Sequence, residues 1–182
     1  MIITITGKPC SGKGAVSKLF AQKYNFERIS IGELQREYAQ KRGLDILSYQ
    51  KTEHIFKSDK IVDNKIKKIG KARPNDNLIF DSRLAWHFIP HSFKVFLDID
   101  WQTAGQRLIE ANRENEQAKD VKTAIKILKD RWQTENDRYT KLYNANNLNL
   151  KNYNLVISSK NKTPEEIADR IYKEYLKYIQ AK

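Results

Sequence analysis

The sequence is poor in cysteine, glycine and proline. Its 182 residues include one cysteine, seven glycines and four prolines. A single cysteine, Cys10, cannot form an internal disulfide, which argues against a disulfide-stabilised secreted scaffold and favours a reducing cytoplasm. So little glycine and proline, with 40% hydrophobic residues, excludes collagen, flexible linker sequence and a largely disordered chain. We therefore expect one folded domain over residues 1–182, as the length also favours.

Long hydrophobic runs are absent as well. No stretch of about 18 apolar residues occurs, and Met1–Thr6 is too short for a signal peptide and lacks its basic flank. We expect a cytoplasmic protein with no membrane partner, and we expect it to be a monomer.

Acidic residues are outnumbered, with 22 Asp and Glu against 34 Lys and Arg, for a net charge of +12. This excess favours an anionic partner, such as a nucleotide or a nucleic acid. The densest basic cluster alternates with Ile61 or Val62, Ile66 and Ile69 at helical spacing, so we interpret it as the solvated side of an amphipathic helix. We do not expect a nucleic-acid partner there. The cluster consists of Lys65, Lys67, Lys68, Lys71 and Arg73.

Predicted strands alternate with predicted helices, which is typical of an α/β domain with a mostly parallel sheet. The apolar run Ile2–Thr6 predicts a central strand that is buried on both faces. The further strands are predicted at Phe26–Ile29, Leu78–Phe80, Phe93–Leu97 and Leu155–Ser158. Helices are predicted from Lys13, from Ser30 to about Arg42, over Ile46–Ala72, over Thr103–Asn112, over Val121–Tyr143 and from Thr163. The third of these is expected to be interrupted around Lys57–Asp59. The buried face of the last helix is predicted to consist of Ile167, Ile171, Tyr175 and Ile179.

The segment Gly7–Gly14 reads GKPCSGKG and matches the GxxxxGK pattern of a phosphate-binding loop. It lies between an apolar strand and an amphipathic helix, where backbone N–H groups and the positive end of the helix converge on an anion. Lys13 can place its ammonium between the β and γ phosphates of a nucleotide. We predict that the loop binds ATP through Gly7, Lys8, Pro9, Cys10, Ser11, Gly12, Lys13, Gly14 and Ala15.

No hydroxyl follows the lysine, because Gly14 and Ala15 occupy those positions. A magnesium ion must then be held mostly through water and the nucleotide, or catalysis is weak. Asp81 ends an apolar strand, and the carboxyl ends of parallel strands are where such folds bind ligands. We predict that Asp81 orients a magnesium-bound water. His87 and His91 are not expected to form a zinc pair, because Pro90 interrupts the helix that would align them.

Several segments together resemble a known family. The loop, "ISIGELQRE" at Ile29–Glu37, "DSRLAW" at Asp81–Trp86, "DRYTKLYN" at Asp137–Asn144 and "YNLVISS" at Tyr153–Ser159 are similar to nucleoside monophosphate kinases, above all to short, archaeal-type cytidylate kinases. The resemblance covers about residues 1–180. It implies a P-loop kinase fold with a five-stranded parallel sheet, an acceptor-binding subdomain at residues 31–72 and a lid at residues 107–138.

The resemblance also implies a reaction and its residues. The protein would use ATP, with magnesium as cofactor, to phosphorylate CMP and also dCMP by in-line transfer. Arg36 and Arg83 match the positions that hold the acceptor phosphate, and a guanidinium fork suits that group. Arg131 and Arg138, seven residues apart on one helical face, would close over the transferring group. Asp63 matches an acidic position that would bind the cytosine amino group.

Plainer interpretations stay open at this point. Arg36 and Arg83 could be surface or ion-paired arginines, and Asp63 a carboxylate on a helix surface. Arg131 and Arg138 could belong to a solvated face with Asp130, Glu135 and Asp137. The alternative functions are a P-loop kinase with another acceptor (AMP, another small molecule or a nucleic-acid end), a nucleotide-binding protein with little turnover, and a basic nucleic-acid-binding module.

Overall fold

Strands and helices alternate along the chain as the sequence predicts. The computed structural model describes residues 1–44, 54–111 and 118–181. The elements are β1 (Ile2–Gly7), α1 (Lys13–Tyr24), β2 (Glu27–Ser30), α2 (Ile31–Gln40), α3 (His54–Ala72), β3 (Leu78–Asp81), α4 (Ala85–Phe88), β4 (Phe93–Asp98), α5 (Trp101–Glu110), α6 (Val121–Tyr143), a 3-10 turn (Leu150–Asn152), β5 (Leu155–Ser158) and α7 (Pro164–Gln180).

The five strands form one sheet in the order β2-β3-β1-β4-β5, and all of its strand pairs are parallel. This confirms the predicted five-stranded parallel sheet with β1 at its centre. All six residues of β1 are buried, which is why its sequence is a continuous apolar and β-branched run. Because β3 and β4 flank β1, their last residues, Asp81 and Asp98, lie on either side of the loop that follows it.

Helices cover both faces of the sheet, and alternate strand residues supply the two cores. On one face, Ile3 and Ile5 pack with Phe20 of α1 and Ile171 of α7. On the other, Ile2, Leu78 and Phe80 pack with residues of α2, α3 and α4, among them Ile31, Val62, Ile66 and Ala85.

Helix α3 confirms the amphipathic interpretation of the basic cluster. Val62 and Ile66 are 1% exposed, whereas Lys65, Lys67 and Lys68 are exposed. The predicted interruption around Lys57–Asp59 is wrong, because the helix is continuous from His54. Residues 46–53 of that predicted helical stretch lie outside the described residues.

Helix α5 begins two residues earlier than predicted. The Asp100 carboxylate accepts a hydrogen bond from the Thr103 backbone N–H at 2.9 Å, so Asp100 caps a helix that starts at Trp101. The predicted end at Asn112 lies outside the described residues. Over the described ranges, no helix has both the length and the apolarity that a membrane span requires.

Two predicted helices have the expected bounds, with one correction to their buried residues. Helix α6 covers Val121–Tyr143 as predicted, and α7 opens with a capping box between Thr163 and Glu166. Ile179 is 38% exposed at the end of α7, so its place in the buried stripe is wrong.

Candidate functional site

The loop between β1 and α1 has the geometry of a turn that can bind an anion. A Cβ on Gly7 would lie 2.2 Å from the carbonyl oxygen of Leu97, so only glycine lets the loop pass this close to β4. Gly12 has φ 85° and forms the N-cap of α1, with no side-chain cap and no acidic residue in the first turn. The first backbone N–H groups of α1 are therefore not capped by a side chain, and the positive end of the helix meets no carboxylate of its own first turn.

Lys13 places its ammonium inside the turn. Its Nζ donates hydrogen bonds to the carbonyl oxygens of Gly7 at 2.9 Å and Lys8 at 3.0 Å. Burial, followed by the positive charge of Arg83, lowers the pKa of Lys13 from 10.5 to about 8, against the opposing effect of Asp81. Lys13 is thus a partly buried cation that still carries its charge at neutral pH.

A cleft of about 880 Å³ opens in front of the loop. Most of the residues predicted for the site share this one cleft. They are Pro9, Cys10, Gly12, Lys13, Gly14, Ala15, Arg36, Asp63, Asp81, Arg83 and Arg131. Elements that are up to about 120 residues apart in sequence therefore meet at the carboxyl end of the sheet, as expected for this class of fold.

The predicted loop residues Gly7, Lys8 and Ser11 are not part of the cleft lining. The Lys8 ammonium lies 2.7 Å from Asp98 Oδ1 and donates a hydrogen bond to the Ile99 carbonyl oxygen at 3.1 Å. Its side chain therefore braces the loop against the end of β4. The Ser11 hydroxyl is buried and has no hydrogen-bond partner among the described residues.

Sequence reasoning missed Arg28, which lies beside the loop. Its Nη2 is 3.2 Å from Asp81 Oδ2, its Nη1 is 2.8 Å from Glu33 Oε1, and its Nε donates to the Ser17 hydroxyl at 2.8 Å. This guanidinium therefore connects β2, β3, α1 and α2. One arginine in a short strand carries no sequence signal for such a role, because its partners come from three separate elements.

The site fits a magnesium ion that is bound mainly through phosphate and water. Asp81 is 14% exposed and lines the cleft, and its Oδ2 also accepts from the Ser17 hydroxyl at 3.4 Å. An ideal Cβ on Gly14 would lie 3.7 Å from Asp81 Oδ2, so this carboxylate lies next to the position where a hydroxyl-bearing residue would stand. The described residues contain no cluster of three metal-binding side chains. One carboxylate beside nucleotide phosphates suits magnesium, which keeps several of its waters.

Arg83 and Arg131 meet at a third residue, Glu135. Arg83 Nη1 donates to Glu135 Oε1, and Arg131 Nε donates to the same oxygen at 3.2 Å. Burial disfavours the charged form of Arg83, but Glu135 and Tyr139 raise the pKa of its guanidinium. The open interpretation of Glu135 as part of a solvated helix face is wrong, because its side chain is 7% exposed. Asp130 and Asp137 are exposed, as that interpretation expected.

Arg138 does not line the cleft itself. Its guanidinium lies 5.1 Å from the ring centroid of Tyr139, which does line the cleft. Arg107, on α5, donates from Nη2 to the Ser159 carbonyl oxygen at 3.0 Å and from Nη1 to the Cys10 carbonyl oxygen at 3.3 Å. It therefore joins the phosphate-binding loop to the segment after β5.

Arg36 and Asp63 lie on the side of the cleft that α2 and α3 form. Arg36 is exposed, and among the described residues its guanidinium has no ion pair or hydrogen bond. Asp63 is 7% exposed and accepts a hydrogen bond from the Tyr143 hydroxyl. The interpretation of Asp63 as a carboxylate on a helix surface is therefore wrong, since a buried carboxylate needs such partners.

Comparison with known proteins identifies the family. Residues 3–129 match the family model described as AAA domain. The chain is 31% identical to a cytidylate kinase from Sulfurisphaera tokodaii over 185 residues, which cover 100% of this chain and 98% of that protein. The chain belongs to the archaeal-type cytidylate kinase family of P-loop proteins. The resemblance of its sequence segments to this family is thereby confirmed.

A second relative is longer. The chain is 35% identical over 178 residues to an S-adenosylmethionine-dependent nucleotide dehydratase from Lacinutrix mariniflava, which cover 96% of this chain but only 36% of that protein. This chain therefore spans about a third of the length of the dehydratase, whereas it spans nearly the whole of the cytidylate kinase. Among solved structures, shikimate kinase from Bacteroides thetaiotaomicron aligns with a TM-score of 0.63 at 17% identity, covering 95% of this chain and 97% of that one. This likeness confirms the P-loop kinase fold.

Proposed function

We propose that this protein transfers the γ-phosphoryl group of ATP to CMP, and also to dCMP. The observation that supports this proposal is the shared cleft. Lys13 of the loop, Arg36 and Asp63 of α2 and α3, and Arg83 and Arg131 all line it. Donor and acceptor phosphates can then meet in line, which is the main requirement of this reaction.

At the donor end, the first turn of α1 and Lys13 bind the triphosphate. The backbone N–H groups of Gly12–Ala15 take the phosphate oxygens, and the ammonium of Lys13 exchanges its loop carbonyl partners for the β and γ phosphates. An acceptor phosphate is already anionic, so no general base is required. The arginines instead neutralise the charge that spreads over the transferring group.

Magnesium, when bound, would neutralise part of the charge of the nucleotide phosphates. Asp81 would hold it through water, and Ser17 and Arg28 fix the orientation of that carboxylate. No hydroxyl of residue 14 takes part, because that residue is glycine.

At the acceptor end, Arg36 and Arg83 bind the monophosphate and Asp63 binds the base. The exposed guanidinium of Arg36 has the charge and fork geometry for a phosphate. A cytosine ring presents an amino group that can donate to the Asp63 carboxylate, while Tyr143 holds that carboxylate from the other side. Arg131 and Arg138 belong to a lid at residues 107–138 that excludes water from the transfer. Residues 31–72 form the acceptor-binding subdomain.

A panel of acceptors tests the proposal. The purified chain with ATP and magnesium is assayed against CMP, dCMP, UMP, AMP and a 5′-hydroxyl oligonucleotide, with diphosphate products resolved by chromatography. We expect the highest kcat/KM for CMP, followed by dCMP. Preferred turnover of AMP or of the oligonucleotide would reject the cytidylate assignment. Tight ATP binding without transfer to any acceptor would favour a nucleotide-binding protein instead.

The longer relative favours a second candidate, a kinase whose product feeds a nucleotide dehydratase. In that protein a segment similar to this whole chain accompanies a further region nearly twice as long. Joining two activities in one chain is useful when they act on the same nucleotide. The acceptor that the panel selects should then carry the base that the dehydratase accepts, and a mismatch of the two bases contradicts this candidate.

A further inference from the structure

Glu135 is a buried carboxylate that joins two arginines from different parts of the fold. It lies in the middle of α6, with 7% of its side chain exposed. Its Oε1 accepts from Arg83, which follows β3, and from Arg131, which lies one turn earlier on α6. One oxygen atom thus sets the distance between two guanidiniums that line the same cleft.

The arrangement is electrostatically unfavourable unless the carboxylate is present. Arg83 and Arg131 both act to lower the pKa of Lys13, whereas Asp81 and Glu135 act to raise it. Three cations therefore converge within electrostatic range, and their mutual repulsion would drive the two arginine side chains apart. Glu135 supplies the opposite charge between them.

The Glu135 carboxylate is only partly satisfied by its hydrogen bonds. The second oxygen, Oε2, is buried and has no hydrogen-bond partner among the described residues. A buried carboxylate with one oxygen unsatisfied costs desolvation energy that a packed apolar side chain would avoid.

We propose that Glu135 is a positioning residue for phosphoryl transfer. It holds Arg83 and Arg131 at one fixed separation, so that one guanidinium faces the acceptor phosphate and the other the transferring group in the transition state. The inference rests on the proposed function, in which Arg83 binds the acceptor phosphate and Arg131 the transferring group. Glu135 itself is not part of the cleft lining.

The isosteric variant Glu135→Gln separates positioning from simple charge. Removing a carboxylate makes the cleft more positive, so charge alone predicts tighter binding of anions and no loss of rate. Positioning predicts a kcat lower by about a hundredfold, the usual cost of misplacing a catalytic group by about 1 Å, while KM for ATP stays unchanged or falls. Asp137→Asn is the matched control, because Asp137 is an exposed carboxylate on the same helix. An unchanged kcat in Glu135→Gln overturns the proposal.

A double-mutant cycle tests whether Glu135 acts through its arginines. In an Arg131→Gln background, Glu135→Gln should lower kcat less than in the wild type, because one of the two groups to be positioned is already lost. Equal fold-losses in both backgrounds would mean that the residues act independently, and the inference would fail. Glu135→Asp keeps the charge and should recover part of the lost rate. Thermal unfolding of each variant verifies that it is folded, and if the glutamine variant is not, the cycle is run with Glu135→Asp.

A binding measurement keeps this inference distinct from the proposed function. The probe is a bisubstrate analogue in which adenosine and cytidine are joined by five phosphates, and calorimetry gives its Kd. If the wild type phosphorylates no monophosphate, the proposed function fails. Positioning is still supported if Glu135→Gln binds the analogue more weakly, and it is overturned if the Kd is unchanged or lower.

Discussion

The ammonium of Lys13 lies 2.9 Å from the carbonyl oxygen of Gly7, the last residue of β1. The strand that forms the centre of the sheet therefore fixes the position of the cation that the loop offers to phosphates. Because the loop turns tightly around this side chain, the ammonium is buried within its own binding motif. That burial strengthens its interaction with a phosphate, and it also lowers the stability of the folded protein.

Replacing Lys13 by methionine should separate these two effects. We expect Lys13→Met to lower kcat by roughly a hundredfold or more, because a preorganised charge on the transferring group is lost. The melting temperature should stay the same or rise, because a buried cation is replaced by an apolar side chain of similar length. Turnover and thermal unfolding measure the two effects. The control is Lys173→Met, which changes an exposed lysine of α7 and should alter neither quantity.

The pKa of Lys13 predicts how pH affects nucleotide binding. Burial and Arg83 lower this pKa to about 8, so the ammonium loses its charge as the pH rises through that value. ATP affinity should therefore fall as the pH rises from 7 to 9. When ATP binds near pH 8, the protein should take up protons, because the bound anion favours the charged form of Lys13. Calorimetry in buffers of different ionisation enthalpy measures both. In Lys13→Met the contribution of this group disappears, and an equally steep pH dependence there would contradict the assignment.

The same pKa has a consequence for stability. The unfolded chain keeps the proton on Lys13 up to its usual pKa of 10.5, whereas the folded protein releases it at about 8. Between these values the unfolded state binds more protons, so this group makes the free energy of unfolding rise with pH. Urea unfolding at pH 7.5 and 9.5 should show the rise for wild type relative to Lys13→Met. A difference of the opposite sign would refute the lowered pKa.

Gly14 offers a test of how magnesium is held. A Cβ at this position would have only ordinary contacts, the nearest at 3.7 Å from Asp81 Oδ2, so Gly14→Ser should fold normally. Its hydroxyl would lie beside the Asp81 carboxylate and provide a further magnesium ligand. We expect half-maximal activity at a lower magnesium concentration than in wild type. Gly14→Ala adds the same Cβ without the oxygen, and a matching decrease in that variant would exclude ligation as the cause.

Asp63 is the residue through which base preference can be tested. Asp63→Asn should lower kcat/KM for CMP by roughly tenfold to a hundredfold, corresponding to a hydrogen bond to a charged group of about 1.5–3 kcal/mol. KM for ATP should not change, because Asp63 lies on the α3 side of the cleft. Steady-state kinetics with CMP and UMP provide the measurement. Equal losses for both acceptors would show that Asp63 does not distinguish the amino group.

Much of the fold follows from local patterns. The run Ile2–Thr6 indicated a doubly buried central strand, and the segment from Thr163 to Glu166 indicated the start of the last helix, since both signals are contained in a few adjacent residues. The predicted interruption near Lys57 failed, because polar residues in a helix do not interrupt it when neighbouring turns continue.

The sequence by itself determined the phosphate-binding loop, because the glycine spacing, the lysine and the flanking strand and helix are all local to residues 2–24. It also determined the order of the elements, and thereby the parallel sheet. Only the tertiary structure decided that Asp63 and Glu135 are buried and that Arg28 pairs with Asp81, because each of these depends on side chains from elements distant in sequence. Burial and pairing of a charge are properties of the packed molecule, and helical periodicity alone gives an exposed and a buried carboxylate the same pattern.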